Sequence, residues 1–411
     1  MRVHNLVAAA LALSIFIVCL IAADLYARGL EDRYIHALAP QMFPLKNQGS
    51  ALQRAAFSQS DLLPIYGSSE LDIADPYHGS QLFKSYPTGF TIFPVGKAGT
   101  TDLMILQDLV AIGPSLRGKK VAISLSPPWF FGGGIGAPAY AGNFSRLHAN
   151  ELAFSTELSF DVKHDAAKRM LQFPKTLEND PLLKLALEQL ANGSPASRAL
   201  YYALLPLGKL QTLVLDLQDH WETLNLIWQK TGGKQPLNPN VPRDSAAINW
   251  SSLLRVARRQ QIQHASNNPF GFDDQSWQRT FRRMALRQKN SRNDIQFEKS
   301  MNQSAEWTDL TLLLRGLKEM GAKPLILSMP IQGTYYNYLG VSARARQTYY
   351  QKLEKICGSY DVPLLDFANH DTDKYFLIDP GAHVSREGWI FYDQALNSFY
   401  HNTLGKVGSA G

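Results

Sequence analysis

The chain has 411 residues, 45% of them hydrophobic and 11% aromatic, enough apolar content for one large or two average domains and too much for a disordered chain. Its formal net charge of +6 comes from 41 basic and 35 acidic residues that are interspersed, so no basic stripe interleaved with aromatics marks a nucleic-acid binder. The two cysteines, Cys19 and Cys357, have no near neighbours, so neither a disulfide framework nor a Cys-x-x-Cys metal site can be read, and the chemistry falls to Ser, His, Asp and Glu.

From Asn5 to Ala23 the sequence NLVAAALALSIFIVCLIAA carries no charge, and its length is what one helix needs to cross the hydrocarbon core of a bilayer. The run is longer than the usual core of a cleaved signal peptide, so a retained anchor over residues 1–30 is expected. Arg2 and His4 precede it, whereas Asp24, Arg28, Glu31, Asp32 and Arg33 follow with no positive excess. That balance favours a cytoplasmic N-terminus and a main domain outside the inner leaflet of the cell membrane.

Residues 31–60 read as a juxtamembrane linker. LLPIY, ended by Gly67, and GFTIFPV (89–95) read as strands, and 101–114 as a helix with Leu103, Leu106, Leu109 and Val110 on one face. KKVAISLSPPWFF (119–131) begins as a buried strand. From about 140 to 305 helical patterning dominates: Leu210, Leu213, Leu217, Trp221, Leu224 and Trp228 recur every three or four residues and stop at Gly232-Gly233. This stretch reads as a helical insertion. A helix at 305–320, the strand KPLILSMPI (323–331), a helix at 343–357, the strand VPLLDFA (362–368) and a last helix from about 387 then resume the alternation. The expected architecture is α/β, a parallel sheet flanked by helices and built from both ends of a domain spanning 61–411.

Acyl transfer through serine needs an exposed hydroxyl, an imidazole within hydrogen-bond reach and a carboxylate that fixes the imidazole tautomer. Ser68 and Ser69 follow the first strand, at the carboxyl edge where open α/β sheets place their sites. Asp379 and His383 lie together in DPGAH, on a loop after the last strand. Each piece alone is commonly a turn or a helix cap. GGGIGAP (132–138) is followed by no helix pattern and is not a dinucleotide fingerprint; NHDTD has no companion histidine at metal-ligand spacing. No cofactor or metal is expected.

In chain order behind one N-terminal apolar helix come YGSSEL, FPVGKAGTTDL, KKVAISLSPPWFF, PLILSMPIQGTYYNYLGVS and DPGAHVSREGW. Together these segments resemble the DltD family, membrane-anchored, SGNH-hydrolase-like proteins of the D-alanylation pathway for teichoic acids. The resemblance covers roughly 61–131 and 305–400, and implies a flavodoxin-like sheet. It makes Ser69 the nucleophile, with Ser68 in the position SGNH enzymes give to aspartate, and His383 the base, spaced correctly from Gly388 and Trp389. Asp379 becomes the carboxylate, although the family pattern Asp-x-x-His is here one residue longer, which leaves Asp373 and Asp366 as substitutes. Gly99 and Ser69 would give backbone N–H groups to an oxyanion. Pro128 stands where the family has glutamine, leaving Ser126 as the side-chain donor of that loop. The implied activity is acyl transfer, of D-alanyl, onto an anionic envelope polymer. The implied partners are a membrane-bound O-acyltransferase of DltB type and the D-alanyl carrier protein. A thioesterase or carbohydrate esterase on the same residues, or a scaffold without chemistry, are the alternatives the sequence leaves open.

Overall fold

The computed structural model describes residues 2–234, 248–381 and 383–404. Five apolar segments form parallel strands: β1 (Leu62–Gly67), β2 (Thr91–Gly96), β3 (Lys120–Leu125), β4 (Lys323–Ser328) and β5 (Leu364–Leu365). Their order is β2-β1-β3-β4-β5, the flavodoxin-like arrangement in which the chain steps out to β2 and then returns across β1 to β3. Side chains alternate along β1: Leu62 and Tyr66 enter one core, Leu63 and Ile65 the other, as the two-residue period of a strand requires. Helices cover both faces, so the strands are apolar almost throughout. Burial of one such side chain, Ile65 for instance, contributes about 1.5–3 kcal/mol.

Helices α1 (Arg2–Leu38), α2 (Pro44–Gln48), α3 (Ala51–Ser58), α4 (Gly79–Ser85) and α5 (Asp102–Ile112) punctuate the first half. Beyond β3 the described residues contain no strand before β4; every regular element there is helical. The longest, Pro195–Thr231, begins with proline after Ser194, whose hydroxyl accepts the Ser197 N–H, and ends at Gly232 in the left-handed conformation. Helices Glu306–Met320, Ala343–Ser359 and Arg386–Tyr400 complete the layers around β4 and β5.

Two stretches differ from the sequence expectation. Residues 31–60, expected as a linker, continue α1 to Leu38 and then form α2 and α3, with Ile35, Leu38, Leu52 and Phe57 buried in the main core. The strand expected at 362–368 is cut to Leu364–Leu365: Asp366 Oδ1 accepts the Ala368 N–H at 3.1 Å and Phe367 takes a φ of 45°, so the backbone turns away from β4.

The segment Leu6–Leu38 of α1 is long and apolar enough to cross a membrane. Leu6, Leu11, Phe16 and Ile21 are exposed, whereas Ile35 and Leu38 are buried, so one continuous helix joins the apolar segment to the folded body. His220 on the long helix meets α1 twice, with Nδ1 2.6 Å from Glu31 and Nε2 3.2 Å from Asp24. Asp219 beside it accepts the Ser50 and Ala51 N–H groups, both at 2.7 Å, at the start of α3.

Candidate active site

β1 and β2 are paired in register from Leu62 with Thr91 to Gly67 with Gly96, so both strands end level. The approach is close: a Cβ at Gly96 would come within 2.8 Å of the Ser68 carbonyl and 2.9 Å of the Gly67 carbonyl, which only glycine permits. Beyond Gly67 the chain enters a 3-10 turn, Ser69–Asp72, and this brings the half-buried Ser69 hydroxyl to the edge where the strand order reverses.

Ser69 Oγ lies 2.7 Å from His383 Nε2, and His383 Nδ1 lies 2.6 Å from Asp379 Oδ2. Two features of the loop make the longer Asp-to-His spacing work. The other Asp379 oxygen accepts the Gly381 N–H at 2.8 Å, and the Ile378 N–H donates to the His383 carbonyl at 2.9 Å, next to an antiparallel bridge between Leu377 and Val384. The segment therefore doubles back and presents both side chains to each other. With Nδ1–H donated to the carboxylate, the lone pair of Nε2 faces the serine.

Burial works to lower the His383 pKa, but the hydrogen bond and charge of Asp379, aided by the charge of Glu70, outweigh it and raise the pKa above its ordinary 6.5. Asp366 and Asp373 are occupied elsewhere. The first accepts from Ala368 N–H; the second accepts the Tyr375 N–H at 3.1 Å and faces Arg258 at 3.4 Å.

Ser68 and Gly99 meet each other. The Gly99 N–H donates to Ser68 Oγ at 3.2 Å, and that hydroxyl points at the Lys97 carbonyl, 3.4 Å away. The loops after β1 and β2 are thereby stitched together, with Gly99 at a φ of 86°. Asn143 supports the stitch from outside, its Nδ2 donating to the Ala98 carbonyl at 3.0 Å. Ser126 is buried at the end of β3, and its carbonyl accepts the Trp129 N–H at 3.2 Å; among the described residues its hydroxyl has no bond to Ser69 or His383.

Glu70 escaped the sequence reading, although it adjoins the serine. It is buried, its Oε1 accepts the Ser68 N–H at 3.0 Å, and Oε2 has no partner among the described residues. Burial pushes its pKa up, opposed by that N–H. A pair of buried acids lies behind the Gly99 loop, where the Asp102 N–H at the start of α5 donates to Glu306 Oε1 at 2.9 Å. Burial and the charge of Asp309 raise the Glu306 pKa to about 8. One turn beyond Ser69, Leu71, Asp72, Asp75, His78, Ser80 and Gln81 line an open cleft of about 580 Å³. Elsewhere Asp24, Asp216 and His220 stand close enough to share an ion. Their carboxylates, however, already face arginine: Arg28 lies 2.8 Å from Asp24, and Arg54 lies 2.5 Å from Asp216.

Fold and geometry define a doubly wound α/β protein with a hydrogen-bonded Ser-His-Asp chain at its topological switch point and an apolar helix ahead of it. Residues 39–401 match the family model described as DltD protein. The chain is 32% identical to Protein DltD of Bacillus subtilis (strain 168), over 93% of this chain and 92% of the relative. Against Protein DltD of Staphylococcus aureus (strain NCTC 8325 / PS 47) the identity is 25%, covering 85% and 83%. Against that of Lacticaseibacillus rhamnosus it is 26%, covering 87% and 81%. The chain belongs to the DltD family, whose members serve the D-alanylation of teichoic acids in the cell envelope.

Proposed function

We propose that this protein transfers an acyl group, D-alanyl, onto a hydroxyl of an anionic envelope polymer through an acyl-serine at Ser69. The observation that carries the reading is the unbroken chain from Ser69 Oγ through His383 to Asp379. His383 Nε2 takes the Ser69 proton as Oγ attacks the donor carbonyl; the bond to the donor's leaving group breaks, and that group departs with the proton. An acceptor hydroxyl then gives its proton to Nε2 and attacks the acyl-serine. The polymer ester forms, and Ser69 recovers the proton. Negative charge on the tetrahedral carbonyl oxygen would be met by the Ser69 N–H and by the Gly99 N–H once it turns from Ser68 Oγ.

An aminoacyl donor fits the reading because Asp72, exposed three residues beyond Ser69, offers a carboxylate to an α-ammonium. α1 is a single-pass anchor with its N-terminus in the cytoplasm, which holds the site outside the membrane. There a membrane-bound O-acyltransferase of DltB type, fed by the D-alanyl carrier protein, is the partner that supplies the activated group. In membranes, Ser69→Ala should abolish ester formation on the polymer and labelling by a fluorophosphonate probe, a loss of at least about a thousandfold. Undiminished ester content in a well-expressed Ser69→Ala strain would sink the nucleophile assignment.

A further inference from the structure

The helix Pro195–Thr231 is apolar on two opposite sides. One side, with Tyr201, Gly208, Thr212 and Ile227, is buried against the body. On the other, Leu207, Leu210, Val214, Trp221 and Trp228 stand exposed, the two tryptophans at 74% and 67%. At 3.6 residues per turn these five fall in one narrow sector. The sector continues without a charge: positions 200, 207, 214, 221 and 228 are Leu, Leu, Val, Trp and Trp, and positions 203, 210, 217 and 224 between them are Ala, Leu, Leu and Leu. A surface helix ordinarily turns charge outward, and a contiguous exposed apolar stripe marks a contact.

The position of α1 identifies the occupant. Its uncharged run ends at Ala23, and Asp24, the first charge after it, lies 3.2 Å from His220 Nε2. Trp221 therefore stands at the level where α1 leaves the hydrocarbon, the depth that tryptophan favours. The ion pairs joining the two helices gather at one place: Asp24 and Glu31, two turns apart on α1, both meet His220, and Arg28 meets Asp216 at 3.9 Å. These pairs set one stretch of α1, from Asp24 to Glu31, against one turn of the long helix, from Asp216 to His220. An interfacial contact requires the long helix to lie across α1, and ion pairs confined to Asp216–His220 on it accord with that arrangement. A second copy of the chain fits the stripe poorly, because the flanking positions Gln211, Gln218 and Asn225 lack the opposite charges that pair coiled-coil helices.

We infer that the stripe from Leu207 to Trp228 is an interfacial membrane contact, with Trp221 and Trp228 seated at the headgroup–acyl boundary of the leaflet from which α1 emerges. The inference rests on α1 being a membrane span. The contact fixes the tilt of the domain, so that the site is held over the bilayer at a set height.

The test uses the full chain in vesicles of phosphatidylcholine with and without bromines on the acyl chains. Flotation with the vesicles establishes the span, and quenching of tryptophan fluorescence by the brominated lipid reads the stripe. Trp221→Phe/Trp228→Phe, checked for an unchanged circular dichroism spectrum, should still float but lose most of the lipid-dependent quenching. Failure to float overturns the span and this inference together. Flotation with equal quenching in both proteins overturns this inference alone. So does shielding of both tryptophans from iodide as well as from brominated lipid, which would mean that a protein surface covers the stripe.

Discussion

His383 can take a proton from Ser69 only while its Nε2 is unprotonated, and Asp379 moves the pH at which that holds. Because the carboxylate raises the imidazole pKa above 6.5, transfer by the wild-type chain should climb with pH through a midpoint above that value, read as kcat/KM against pH. Asp379→Asn removes the charge and offers Nδ1 a partner compatible with the wrong tautomer. The midpoint should fall, and the plateau rate should drop by about a thousandfold or more; an unchanged profile would assign the carboxylate elsewhere. At this scale the sequence was informative about chemical type and silent about local shape. Ser69 and His383 were legible because their neighbours repeat a family spacing. Asp379 was left open because counting residues does not show that the Gly381 N–H folds the loop back onto its own aspartate. Glu70 was hidden by ordinariness: a glutamate beside a serine turn reads as a solvated surface residue, and only burial gives it meaning.

Among the elements, α5 and the helix Glu306–Met320 start against each other with carboxyl groups buried between them, and this couples stability to pH. The Glu306 pKa of about 8 in the fold exceeds its ordinary 4.5, so the folded chain holds a proton that the unfolded chain has released. The resulting stability is present at low pH and is lost as pH rises from about 4.5 through about 8. Glu306→Gln keeps an acceptor for the Asp102 N–H and removes the titration. Its melting temperature should vary less with pH than that of wild type, with the gain greatest near pH 8 and above; parallel curves for the two proteins would refute the buried proton. Most strands and helices were legible from apolar runs and glycine stops. The truncated β5 was not, since VPLLDFA has a strand composition and only the Asp366 side chain and the left-handed Phe367 end it.

For the molecule as a whole, the apolar N-terminal segment and the core share one helix, which divides α1 into a part the fold can lose and a part it needs. A chain beginning at Asp24 lacks the apolar run, so it should be extracted from membranes by alkaline carbonate, where the full-length chain is not, and melt close to the full-length protein. One beginning at Ala39 loses Glu31, Ile35 and Leu38 from their buried positions and should be destabilised by roughly 3 kcal/mol or more, measured by denaturant unfolding; equal stability of the two would show that α1 contributes nothing to the core. Residues 31–60 read as a linker because the end of α1, which packs through Ile35 and Leu38, and the short α3, which packs through Leu52 and Phe57, are separated by Pro40, Pro44 and Gly49, and such punctuation reads as a loop. The helical middle was legible as helix and opaque as architecture, for its packing partners lie far off in the chain.

The sheet itself sets an order of events. β3 ends at Leu125 and its neighbour β4 starts only at Lys323. During synthesis the edge of β3 therefore emerges long before its partner and carries unpaired N–H and C=O groups that invite aggregation. Ser69 emerges early as well, whereas His383 is 314 residues further on. On the acyl-serine chemistry proposed above, a nascent chain would carry an unactivated alcohol, and a partial translation product would be unable to acylate itself or a bystander before the C-terminal loop has docked.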